Sequence, residues 1–123
     1  PLACAAAVAS LDVFAAEKTM KKLPAKVARF ERRLERFRDH PHVGDVRSRG
    51  LMGAVELVRT RPSSAYDPAL RMGHRVTVEC RKRGLVLRPL GDAVVLVPAL
   101  SMEARTMDRM FDILEESMEA ATR

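Results

Sequence analysis

The sequence predicts an α+β fold: a small, mainly antiparallel sheet with helices packed on one face. Three observations carry this. In the stretch from Gly84 to Pro98, two short aliphatic runs, Leu85–Leu87 and Ala93–Val97, flank a Pro-Leu-Gly-Asp turn and read as a buried central hairpin. Two further runs of strand character, Val43–Arg49 and Leu51–Val58, are punctuated by Gly50. Around both pairs, apolar residues recur at the 3.6-residue spacing of amphipathic helices.

Taken in order, Leu2 to about Glu17 has high helix propensity, with Val8, Leu11 and Phe14 at helical spacing and an alanine-rich stretch at 3–9. Thr19 to Lys22 is expected to break this helix. A second helix is predicted from Pro24, suited to a first turn, to Arg38. Its apolar stripe is Leu23, Val27, Phe30, Leu34 and Phe37, and its basic face (Lys26, Arg29, Arg32, Arg33, Arg36) is expected to meet solvent. After the two strands and a loop at 59–66, Asp67 and Pro68 read as the cap and first turn of a third helix. It buries Ala69, Met72, Val76 and Cys80 and stops at Gly84. Beyond the hairpin, Ser101 is expected to cap a last helix with Met107, Met110, Phe111, Leu114 and Met118 inward.

Length and composition narrow the function classes. A chain of 123 residues, 47% hydrophobic and 31% charged, suits one globular domain. No apolar run approaches a membrane span. Cys4 and Cys80 stand far apart and read as reduced thiols of small core residues in a cytoplasmic protein. The net charge of +6 raises nucleic-acid binding, but Tyr66 is the lone tyrosine and there is no tryptophan to stack on bases. The chain opens at Pro1 directly into helix, which predicts a portion of a longer protein.

Residues able to carry chemistry are few. His40 and His42 flank Pro41 but have no third ligand nearby, so no metal site is expected. Arg88, read as the end of the first hairpin strand, has two readings. It is an edge arginine whose head reaches water, or an anion clamp aimed at a carboxylate, since a buried guanidinium is costly without a counter-charge.

Pro1-Leu-Ala-Cys-Ala-Ala-Ala7 is similar to a segment shared by class III pyridoxal-phosphate aminotransferases. Asp45 to Val58 resembles their paired strands, and Arg88-Pro-Leu-Gly-Asp92 followed by Val95-Leu-Val-Pro98 resembles the strand-turn-strand of the biotin-synthesis branch. Ala99 departs from the usual second proline, and the Ile-Arg-Phe-type sequence of relatives acting on ornithine or aminobutyrate is absent at Val95-Leu96. The resemblance implies that 1–123 is the C-terminal small domain of such an enzyme, with 1–18 the linking helix from a large domain. It implies pyridoxal 5'-phosphate as cofactor and a cytoplasmic homodimer. The amino group of S-adenosylmethionine would pass to 8-amino-7-oxononanoate, giving 7,8-diaminononanoate, and Arg88 would engage the carboxylate of that keto acid. The Schiff-base lysine is expected upstream, so none of Lys18, Lys21, Lys22, Lys26 or Lys82 serves as one, and this stretch alone is expected to bind no cofactor and to be inactive. The nearest alternative is an ω-amino-acid:pyruvate transaminase. The alternative outside the class is a stand-alone basic interaction or nucleic-acid-binding module.

Overall fold

A computed structural model describes all 123 residues. The helices are α1 (Leu2–Ala16), α2 (Thr19–Glu35), α3 (Met72–Lys82) and α4 (Ala104–Thr122), and the strands are β1 (Val43–Arg49), β2 (Met52–Leu57), β3 (Arg88–Leu90) and β4 (Ala93–Leu96). All strand pairs are antiparallel, in the order β1-β2-β4-β3. No helix is long and apolar enough to cross a membrane.

Alternation along the strands sorts residues between two faces. Val46, Val55 and Val94 lie side by side in register, Gly53 pairs with Leu96, and all five are buried. The register shift between Val43 and Asp45 is a bulge that turns both Val43 and Val46 inward. These side chains join Phe30 and Leu34 of α2, Met72, Val76 and Cys80 of α3, and Met107, Phe111 and Leu114 of α4 in one core. Phe30 and Phe111 anchor it, with ring centroids 5.3 Å apart. Helix α2 comes close because residue 53 is glycine: a Cβ there would lie 2.7 Å from Leu34 and 2.8 Å from Phe30.

Several element boundaries differ from the sequence reading, each for a local reason. The break between α1 and α2 falls at Lys18, in left-handed geometry at φ 54°, and not at 19–22. Pro24 sits inside α2, where it and Met20, the carbonyl it leaves unpaired, are both exposed to water. The basic face of α2 is not all solvated: Arg29 pairs with Asp108 and Arg33 with Asp112, both on α4. Asp67 does act as a cap, accepting from the Ala69 N–H at 2.9 Å, but it caps a single 3-10 turn. Arg71, at φ 48°, ends that turn, Ala69 is exposed, and α3 starts at Met72. Ser101 does not cap α4. A turn closed by the Met102 N–H on the Ala99 carbonyl delays the helix, and Glu103 precedes it in extended geometry.

The hairpin differs most. Leu85–Leu87 is not a strand, because Gly84 and Leu85 donate back to the carbonyls of Arg81 and Cys80 and complete a Schellman closure of α3. Strand β3 instead starts at Arg88, includes Pro89 and Leu90, and turns through Gly91 and Asp92. It lies at the sheet edge, partly exposed, and is neither central nor buried. Pro89, with no N–H to donate, suits an edge strand.

Candidate functional site

Arg88 stands opposite Val95 on the face of the sheet that no helix covers. Across that face run Arg47, Ala54, Val95 and Arg88, one residue from each strand. Arg88 borders an open basin of about 600 Å³ whose other lining residues are Val86, Leu87, Leu90, Val95 and Val97. It is therefore the lone charge among five apolar side chains.

Its electrostatic situation contrasts with that of Arg47 at the far end of the row. Arg47 donates to Asp45 at 2.8 Å and to Glu56, and the Arg47 guanidinium holds the Asp45 carboxyl below its ordinary range. Arg83 likewise meets Glu79 at 2.8 Å. Arg88 makes no ion pair and no side-chain hydrogen bond within the chain. The sequence placed it at the end of a buried strand. It stands at the beginning of an exposed edge strand, so this chain alone does not desolvate it. A planar guanidinium with free donors beside apolar walls can grip a carboxylate with two parallel hydrogen bonds while the walls take an aliphatic chain.

The other candidates have structural partners. His42 Nδ1 lies 3.0 Å from the Tyr66 hydroxyl and 3.1 Å from the Arg59 carbonyl, and the His42 N–H donates to His40 Nδ1 at 3.1 Å. Burial, then the neighbouring His42, lowers the pKa of His40, and burial first of all raises that of Tyr66. No three His, Cys, Asp or Glu side chains gather as a metal-binding group. Cys80 is buried in the core, whereas Cys4, read from sequence as a core residue, is exposed on α1.

The lysines bear on the cofactor that the resemblance implies. Lys82 pairs with Glu79 and Lys26 donates to the Leu100 carbonyl. No lysine lines the Arg88 basin. The residues lining this basin do not by themselves fit a pyridoxal phosphate site, which needs a lysine tether and donors for the phosphate. Arg88 is a candidate for holding substrate only.

The model of the aminotransferase class-III family matches residues 1–118. The chain is 44% identical over 122 residues to adenosylmethionine-8-amino-7-oxononanoate aminotransferase of Nitratidesulfovibrio vulgaris, covering 98% of this chain and 22% of that protein. The crystal structure of the enzyme of the same name from Methanocaldococcus jannaschii superposes with a TM-score of 0.90 at 32% identity, over 95% of this chain and 27% of that one. The PMP-bound form of an aminotransferase from Vibrio fluvialis superposes with a TM-score of 0.90 at 34% identity, over 96% of this chain and 26% of that one. The chain thus spans about a quarter of the length of the relatives it matches.

Proposed function

The chain belongs to the class-III aminotransferases, which use pyridoxal phosphate, and on that premise we propose that it forms the C-terminal small domain of the biotin-synthesis enzyme. In this reading residues 1–18 link it to a large domain that carries the cofactor lysine, and the whole protein works as a cytoplasmic homodimer. The reaction moves an amino group from S-adenosylmethionine to 8-amino-7-oxononanoate. Similarity to enzymes of that name along nearly the whole chain supports the substrate assignment.

The observation that carries the residue assignment is the unpaired Arg88 beside apolar walls. The acceptor is a keto acid with a long aliphatic chain ending in a carboxylate, which matches a fixed cation next to Val86, Leu90, Val95 and Val97. The small domain presents this edge, and the large domain, closing over it, removes the water that surrounds Arg88 in the isolated chain.

Stopped-flow absorbance of the cofactor in the full-length protein, followed in each half-reaction separately, tests this. Arg88→Ala is expected to cost about 2–5 kcal/mol in the acceptor half, a roughly thirtyfold to several-thousandfold loss in kcat/KM. The donor half should change little. Arg88→Lys should recover only part, because an ammonium keeps the charge and loses the fork. Small, equal effects on both halves would retire the clamp. Likeness to an omega-transferase of Vibrio fluvialis and to a putrescine–pyruvate aminotransferase of Pseudomonas aeruginosa favours one second reading, an ω-amino-acid:pyruvate transaminase built on the same domain. An amino-donor screen separates the two, since only the first requires S-adenosylmethionine.

A further inference from the structure

Strand β3 has three residues and a ladder partner on one side only, so β4 pairing alone holds it weakly. Its second support is the first turn of α3. Residue 73 touches the hairpin so closely that a Cβ there would lie 2.3 Å from the Gly91 carbonyl oxygen, 3.1 Å from Pro89 Cβ and 3.2 Å from Asp92 Cα. The Gly73 N–H, one of the helix-start donors without a helical partner, donates to Asp92 Oδ1 at 3.0 Å. Arg71, the residue that precedes α3, supplies no side-chain cap. The main-chain carbonyl of Asp92 meanwhile accepts from the Leu57 N–H at 2.9 Å, at the end of β2. Asp92 thus joins helix, turn and neighbouring strand at one point, and Arg88 lies on the short strand that leads into that turn.

We infer that Gly73 and Asp92 form a positioning latch that sets the β3–β4 turn against α3 and thereby fixes where the Arg88 guanidinium stands. The inference rests on the proposed role of Arg88 in gripping the substrate carboxylate. The latch touches no substrate. It acts through the placement of the strand, and a displacement near 1 Å at a binding group is enough to lose much of its grip.

The test uses the full-length protein. Asp92→Ala removes the capping acceptor and leaves the backbone contact of residue 92 with Leu57. Hydrogen exchange of the amides at 88 and 90–96 should rise about tenfold while α4 stays unchanged. The acceptor concentration at half-maximal rate should rise about tenfold, with the donor half-reaction within twofold of wild type. Asp92→Asn, whose side-chain carbonyl still accepts from Gly73, should restore both readouts. Gly73→Ala, which forces the turn away from the helix, should reproduce the acceptor-selective loss. Unchanged exchange in Asp92→Ala would overturn the latch, and so would a parallel fall of both half-reactions with a lowered Tm. If Arg88→Ala is acceptor-selective and Asp92→Ala is not, the latch alone fails. If Arg88→Ala affects both halves equally, the carboxylate reading fails and takes the latch's role in recognition with it.

Discussion

On one side of the sheet Val46, Val55, Leu57, Val94 and Leu96 are buried beneath helices, while on the other Met52, Val97 and Leu90 stand 61%, 61% and 66% exposed. Strand β2 supplies both sets, Val55 and Leu57 to one and Met52 to the other, and both contain large apolar side chains. What differs is the cover. The buried face meets α2, α3 and α4, whose apolar stripes belong to the same chain. The open face carries apolar side chains and three arginines: Arg47, neutralised by Asp45 and Glu56, and Arg49 and Arg88, which make no ion pair. The helices repeat the contrast. Helix α4 buries eight residues and α1, alanine-rich and uncharged except for Asp12, buries none. Hydrophobicity alone therefore does not mark the core here. Apolar surface with a matching surface elsewhere in the chain becomes core, and the remainder stays uncovered by this chain.

The largest effects should come from the covered side. Phe111 is fully buried between Phe30 and Phe37, with the Arg33 guanidinium 5.7 Å from its ring centre. Phe111→Ala should cost about 3–5 kcal/mol of unfolding free energy in urea titrations. A loss below about 1 kcal/mol would mean that the covered face is not the stabilising one. Next comes Gly53→Ala, whose new methyl must displace Leu34 and Phe30, both fully packed. About 1–3 kcal/mol should be lost, and double mutation with Leu34→Ala should recover part of it.

Acid separates His40 from the arginine-paired carboxylates by window. His40 borders the covered side, facing His42 from its own segment and Glu115 and Glu119 from α4. Its folded pKa lies below the ordinary 6.5, so the unfolded chain binds the proton first. The stability tied to its neutral form is complete above 6.5 and drains away as the pH falls from there through the lowered value. Asp45 is held below its ordinary 3.8 by Arg47, and Asp108 of α4 likewise by Arg29, so their share is complete above 3.8 and is lost only in stronger acid. Denaturation curves at stepped pH should show both windows, and His40→Gln should erase the upper one alone. A single acid step untouched by that substitution would refute the assignment.

The smallest effect should come from the open face. Met52→Ser, at a side chain with no cover, should change stability by less than about 0.5 kcal/mol. A larger loss would show that this face is packed within the chain after all.

Much of this was present in the sequence. The helical period placed Phe30, Leu34, Phe37, Met107, Phe111, Leu114 and Met118 inward, and all seven are buried. Strand β1 runs from Val43 to Arg49, as the alternation predicts, and Gly84 stops α3. These features depend on residues a few positions apart, so local periodicity and backbone preference are enough to specify them. Arg88 was visible as an oddity beside an aliphatic run, and Pro89 was the overlooked sign that its strand lies at an edge. Other features had no local signature. The pairing of Arg29 and Arg33 with Asp108 and Asp112, the approach of Phe30 to Gly53, and the capping of α3 by Asp92 join residues 19 to 79 positions apart in sequence. By itself the sequence determined most of the helix and strand segments, though not the first hairpin strand or the break before α2, and which way most side chains point. Which apolar face is covered, which arginine stands alone among apolar walls and which carboxylate caps a distant helix were decided by the tertiary structure, because each depends on a contact that exists only once remote segments are packed together.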